Sequence, residues 1–237
     1  MAYIGKVPSA VPITSADLAD SIVTSAKIAD GTIALADLSA TGTKDATTFL
    51  RGDNSFAEAG GGSLVYLATA SGSNVSSISL DGYFTSDYTH YKVFYTTVPN
   101  TNNTDSVMRF RQSNADVTSS IYYIAGTASY LSSSSTSIAT NGAWGNSRFQ
   151  ISSSDQTSSS AYPTTGEMVL YNPLSTTLVK TLTTNNIGYN SDTPPSAIRN
   201  HYYAGFFLST SAISGVTFFY EGGNITGTIY LYGIKNS

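Results

Sequence analysis

The chain has 237 residues and a net charge of −4, and only 11% of its residues are charged, against roughly 25% in an average soluble domain. It has no basic cluster, which argues against nucleic-acid binding and against attraction to an anionic membrane surface. No run of about 18 apolar residues occurs, so no membrane insertion is expected. The absence of cysteine excludes disulfides and thiolate metal sites.

The N-terminal segment, residues 1–45, contains three ten-residue units, ITSADLADSI, VTSAKIADGT and IALADLSATG. Their matching apolar positions form a predicted repeat core: Ile13, Leu18, Val23, Ile28, Ile33 and Leu38. An amphipathic helix fits part of the spacing, but β-branched residues head each unit and Asp30-Gly31-Thr32 is typical of a turn. We therefore favour short strands or single turns. Such short units cannot bury their apolar side chains alone, so they need neighbours, which other copies of the chain would supply.

Residues 46–63 contain FLRGDNSFAEAGGG, which we interpret as a hairpin followed by a linker. Gly52 and Asn54 tolerate positive φ, and Asp53 can accept hydrogen bonds from its own backbone, as a tight turn requires. Arg51-Gly52-Asp53 also spells a cell-adhesion signal, but nothing else in the chain points to animal receptors. We therefore predict a structural turn. The glycine run that follows predicts a flexible hinge: Gly60, Gly61 and Gly62.

Residues 64–237 alternate strand-like runs with polar turns, and they contain most of the chain's 17 Tyr and 10 Phe, interleaved with Ser, Thr and Asn. We count about ten candidate strands, among them HYKVFYTTV and TGTIYLYGI, and no helix-length segment between them. The predicted fold class is all-β: a short repeat or stalk region followed by an antiparallel β-sandwich of jelly-roll type.

The single tryptophan, Trp144, lies between glycines in TNGAWGNS, where we predict a loop. A tryptophan exposed on a rigid sandwich can stack on the C–H face of a sugar, which makes Trp144 a candidate ligand contact. Packing over the end of the sandwich, or at a subunit interface, is the alternative. His90 and His201 are flanked by tyrosines in strand-like segments without metal-ligand spacing, and we interpret them as structural.

Catalytic motifs are absent from the sequence: it has no GxSxG elbow, no HExxH helix and no phosphate-binding glycine loop. A glycan hydrolase would need paired carboxylates. Glu58 lies in the linker, Glu167 and Glu221 lie at strand edges, and most aspartates lie in turns, where they stabilise the backbone. We therefore expect no enzymatic activity and no cofactor or metal site.

Three stretches together resemble phage tail-fibre and related virion appendage proteins. They are the ITSADLAD/VTSAKIADGT repeats after the MAYIGK start, TKDATTFLRGDNSFAEAGGG, and the ending TGTIYLYGIK. The resemblance implies a homotrimer on the virion, whose N-terminal segment contacts other virion proteins and whose β-sandwich points outward. Long fibre shafts carry many more repeats than three, so a short appendage is expected.

The resulting hypothesis is a non-enzymatic virion structural protein whose trimeric heads bind host surface polysaccharide through multivalent weak sites. The alternative is a capsid or neck decoration protein that acts as cement without binding a receptor. A glycan-cleaving tailspike is a more distant alternative.

Overall fold

The computed structural model describes residues 14–34, 37, 39–58, 63–152, 156–190 and 196–235. The chain divides into two compact units, residues 1–60 and 61–237. Across the described residues the strands pair antiparallel and helix is confined to single 3₁₀ turns, so the predicted all-β class is confirmed.

The repeats of the first unit are single turns. Two 3₁₀ turns, Ser15–Asp17 and Ser25–Lys27, lie ten residues apart. The amide of the residue after each turn donates to the carbonyl of the turn's first residue. A positive φ follows each turn, at Ser21 and then at Gly31, again ten residues apart. The sequence period is therefore also a structural period, and a continuous helix is ruled out over these residues.

The described members of the predicted repeat core are exposed to solvent within the single chain: Leu18, Val23, Ile28 and Ile33. Val23 and Ile33 are each 56% exposed. The other two members, Ile13 and Leu38, lie outside the described residues. Within one chain the repeat therefore leaves its apolar side chains largely uncovered.

The RGD stretch lies in the turn of a hairpin formed by strands β1 (Thr48–Leu50) and β2 (Phe56–Glu58). The Arg51 amide donates to the Ser55 carbonyl over 2.8 Å, which closes the loop. Asp53 Oδ1 accepts from the Ser55 amide at 3.1 Å and from the Ser55 hydroxyl at 2.6 Å. The hydrogen bond from the Ser55 hydroxyl is the largest of several interactions that lower the pKa of Asp53.

The backbone of this turn differs from the expectation at Gly52. Asn54 has a φ of 59°, whereas Gly52 is outside the left-handed region, and a Cβ added to Gly52 would meet no atom within 4 Å. Asn54, and not Gly52, therefore adopts the left-handed conformation that the hairpin turn needs. The predicted hinge residues Gly60, Gly61 and Gly62 lie outside the described residues.

The described part of the second unit contains thirteen strands. They are β3 (Leu64–Val75), β4 (Ile78–Asp81), β5 (Tyr88–Pro99), β6 (Ser106–Gln112), β7 (Ala115–Asp116), β8 (Tyr122–Ser132), β9 (Thr136–Asn146), β10 (Phe149–Gln150), β11 (Thr164–Tyr171), β12 (Lys180–Tyr189), β13 (Ala197–Phe207), β14 (Gly215–Tyr220) and β15 (Ile225–Lys235).

These strands form two sheets. The large sheet has the order β3-β15-β5-β11-β12-β13-β8-β9, and the small sheet has the order β10-β6-β14-β4 with β7 added beside β6. Side chains alternate between the faces of each strand. In β5, for example, Tyr91, Val93 and Tyr95 are buried, and the residues between them point outward.

The two sheets share one core. The ring of Tyr95 in the large sheet lies 5.6 Å from that of Phe218 in the small sheet. Phe110 of the small sheet lies 5.2 Å from Phe207 of the large sheet. All four rings are buried. This arrangement, antiparallel sheets packed through aromatic side chains, is consistent with a β-sandwich.

The outer faces of the two sheets differ in charge. On the small sheet, the Arg111 Nε lies 2.7 Å from an Asp81 oxygen, and the same guanidinium also pairs with Asp116. Arg148 pairs with Glu221 at the neighbouring sheet margin. The ion pairs of this unit are thus concentrated on the small sheet, and the outer face of the large sheet is mainly aromatic, aliphatic and hydroxyl-bearing.

Candidate functional site

Trp144 lies on strand β9 at the edge of the large sheet, and its side chain is 86% exposed. The sequence had predicted a loop here because glycines flank the tryptophan, and that prediction is wrong. The β8–β9 pairing extends from Leu131 opposite Thr136 to Tyr122 opposite Asn146, with a register shift near its end. The irregularity that the glycines suggested is absorbed as a bulge in a continuing strand.

The exposed indole ring is supported by two other rings. Its centroid lies 4.8 Å from that of Tyr123, with the ring planes at 86°. Tyr123 stacks on Phe206 at 4.6 Å with an interplanar angle of 7°. We call these three residues, on strands β9, β8 and β13, the ring row. Because its members stand on paired strands, the row holds an apolar surface in a fixed orientation on the outer face.

Two further rows run beside the ring row on the same three strands. The register places Ala204 opposite Ala125 and Ala125 opposite Gly142, and all three are exposed; we call them the small-residue row. One step further along the strands, the register aligns the hydroxyl row: Tyr202, Thr127 and Thr140. The ring row and the hydroxyl row are therefore separated by a strip of minimal side chains.

The spacing of the rows follows from strand geometry. The ring row and the hydroxyl row are four residues apart along each strand, which corresponds to about 13 Å between their backbones. Tyr202 is 56% exposed, so it stands out from the sheet on the far side of the strip. The outcome is a shallow trough that runs across strands β13, β8 and β9, with rings on one side and hydroxyls on the other.

The trough contains no charged residue. The nearest ion pair on this face is Lys92–Glu167, on strands β5 and β11, where Nζ lies 2.8 Å from a carboxylate oxygen. The Lys92 ammonium also lies 5.0 Å from the centre of the Phe94 ring. Lys92 is thus neutralised by its neighbour and lies three strands beyond β13 in the sheet order.

The two histidines occupy structural positions. His201 is fully buried, and its Nδ1 lies 3.0 Å from the Asn186 side-chain oxygen. Since the Asn186 amide group donates to the Ile151 carbonyl, that oxygen is an acceptor and His201 Nδ1 is the donor. Burial, with a contribution from Arg199, lowers the pKa of His201 to about 4. His90 lies on the outer face, with its ring 5.3 Å from that of Tyr171.

Several carboxylates of the second unit form ion pairs with basic side chains. Glu167 pairs with Lys92, Glu221 with Arg148, and Asp81 with Arg111. Among the described residues no group of three or more metal-ligating side chains comes together. The absence of enzymatic activity stays a prediction.

The sequence identified Trp144 but not its two supporting rings. Strand alternation already places one tyrosine of the Tyr122-Tyr123 pair on each face, and the structure points Tyr122 into the core and Tyr123 outward. What the sequence could not supply was the strand order that brings Phe206 beside Tyr123. Gly52 and Asp53, the predicted turn residues, belong to the first unit, whereas the three rows are formed by strands of the second.

No protein-family model, curated protein or solved structure matches the chain. In the part of the chain that the structure describes, no helix is long and apolar enough to cross a membrane.

Proposed function

We propose that the chain is a bacteriophage virion structural protein: a short, trimeric, tail-fibre-like appendage that presents its β domain for attachment to host-surface glycan. The proposal places it on the virion surface, with the N-terminal segment contacting other virion proteins. It combines the resemblance of three sequence stretches with the two exposed apolar features of the structure, the repeat core and the ring row.

The observation that carries the attachment role is the exposure of Trp144. A tryptophan that is 86% exposed and supported edge-on by Tyr123 stabilises the fold little, yet it offers a preoriented apolar surface. Sugars present C–H faces that pack on such rings, and rigid aromatic side chains on a sheet lose little entropy on binding. Three copies on one appendage would convert weak individual sites into firm attachment.

The trimer is supported by the repeat. Its apolar positions recur every ten residues, and the described ones are exposed in the single chain, so parallel copies could cover them by placing equivalent residues side by side. The homotrimer and the jelly-roll connectivity of the β domain stay predictions. Light scattering on the full-length protein should report three copies, and Val23→Asp should shift it toward the monomer. A persistent monomer at micromolar concentration would refute the trimer.

Attachment is tested with fluorescently labelled full-length protein on a panel of bacterial strains. The protein should adsorb to its host strain and compete with phage infection. Trp144→Ala should weaken the binding at each site by about 2 kcal/mol, roughly thirtyfold. Ile138→Ala is the matched control, because Ile138 is 75% exposed on the same strand and face but lies outside the trough. Equal adsorption by wild type and Trp144→Ala would contradict the proposal.

A second function, particle cement, is favoured by a different observation. Ile138 and Leu131 are 75% and 49% exposed on the same outer face, and aliphatic side chains of this kind suit a protein contact. If Ile138→Ala abolishes incorporation into particles, and the wild-type protein adsorbs to no strain, the decoration role is correct and the attachment role is not.

A further inference from the structure

We infer that the trough binds a neutral, linear oligosaccharide whose chain runs perpendicular to the strands, from Trp144 inward toward Phe206. The inference rests on the proposed attachment function and adds the chemical class and the direction of the ligand. Its starting point is the ring row, in which an exposed indole continues into two stacked rings across three neighbouring strands.

The two sides of the trough match the two kinds of surface on a sugar. The ring row offers apolar faces for C–H groups. The hydroxyls of Tyr202, Thr127 and Thr140 stand opposite, and in the described structure none of them has a hydrogen-bond partner. Such hydroxyls can both donate and accept, as sugar hydroxyls do. A purely apolar partner, such as a second protein face, would leave this side of the trough unpaired.

The strip between the two sides makes room for the chain. Ala204, Ala125 and Gly142 follow one another across the sheet at the interstrand spacing of about 4.8 Å, close to the length of one extended pyranose. Three strands, together with Thr183 on the next strand inward, give a path of about 14 Å, enough for three or four sugars. Further inward, Val169 and the Lys92–Glu167 pair replace the small side chains and end the strip.

The charge distribution selects the class of sugar. The nine residues of the three rows are uncharged, and Lys92, the cation at the inner end of the strip, is already paired with Glu167. An acidic polysaccharide would have to bury carboxylates here without a counter-charge, which is unfavourable. A neutral chain meets no such cost, and its binding should not depend on ionic strength.

The test uses the full-length protein in calorimetric titrations with neutral tetrasaccharides (cellotetraose, maltotetraose and fully N-acetylated chitotetraose) and with acidic tetragalacturonate. At least one neutral probe should bind, equally at low and high salt. Ala125→Leu, which fills the strip, should lower its affinity at least about tenfold. Ser129→Leu is the matched control, because it adds the same side chain to the same face of the same strand outside the trough.

Three results would overturn the inference: preference for tetragalacturonate, no binding by any probe, or equal affinity of Ala125→Leu and wild type. A change in the oligomeric state of Ala125→Leu would show instead that a second copy covers the trough. Failure of the inference is distinguishable from failure of the proposed function. If Trp144→Ala abolishes adsorption to cells and Ala125→Leu does not, attachment stands and the trough does not.

Discussion

The stability of the β domain should depend on pH through His201. The unfolded chain protonates this side chain near pH 6.5, whereas burial keeps it neutral in the folded state down to about pH 4. Between these values protonation favours the unfolded chain, so stability is retained above pH 6.5 and is lost as the pH falls toward 4. The imidazole also donates to Asn186, and that arrangement is compatible with the neutral form.

The size of the effect follows from the displaced pKa. Lowering the pH from 8 to 4.5 should cost about 2.5 kcal/mol of unfolding free energy from this residue alone. For a unit of this size that corresponds to a fall in Tm of roughly 5–10 °C. Carboxylates also make the stability depend on pH. The informative quantity is therefore the difference in Tm loss between wild type and the histidine variants, not the Tm loss of wild type alone.

The assay is calorimetric melting of wild type, His201→Gln and His90→Gln at both pH values. Glutamine can still donate to Asn186 but does not titrate, so His201→Gln should lose less Tm on acidification than wild type. His90→Gln removes a histidine from the outer face and should follow wild type. If wild type and His201→Gln lose the same Tm, the buried histidine does not carry the effect and the burial argument is refuted.

Two further predictions concern backbone and core positions. Asn54→Val should raise amide hydrogen exchange in the β1–β2 hairpin, because a β-branched residue resists a φ of 59°, whereas Gly52→Ala should leave the exchange unchanged. Exchange that rises with Gly52→Ala alone would contradict this. Lys180 is fully buried, and its ammonium donates to three backbone carbonyls, so Lys180→Met should lower the unfolding free energy in urea by about 3 kcal/mol. An unchanged urea midpoint would show that the carbonyls find other donors.

Local patterns in the sequence were sufficient for some features. The ten-residue period survives as a hydrogen-bond period, because each unit contains its own turn residues. The alternation in HYKVFYTTV predicts that Tyr91, Val93 and Tyr95 share one face, since a strand has only two faces, and the structure buries all three. Both properties depend on residues a few positions apart.

Other features depend on residues far apart in the chain, and the sequence did not predict them. Glycines around Trp144 suggested a loop, but nine of the eleven residues of β9 pair with β8, and the tertiary pairing outweighs the local preference. The glycine that the hairpin region cannot replace is Gly42, not Gly52: its φ is 89°, and a Cβ there would meet the Phe56 carbonyl oxygen. That contact arises because the chain near Thr41 crosses beside Ser55, fourteen positions later.

The unequal distribution of charged residues between the two outer faces is relevant to the function of the large sheet. Charged side chains on a protein surface favour solubility, and this chain has few of them. The guanidinium–carboxylate pairs of Arg111 and Arg148 lie at the small sheet and not on the outer face of the large sheet. The large sheet exposes Trp144 and Ile138 on β9, a strand without a charged residue. Exposed apolar surface of this kind raises the risk of association and is typical of binding faces. A neutral ligand can cover such a face without leaving a charged group unpaired. If the face had no binding role, a single lysine in β9 would make it more soluble.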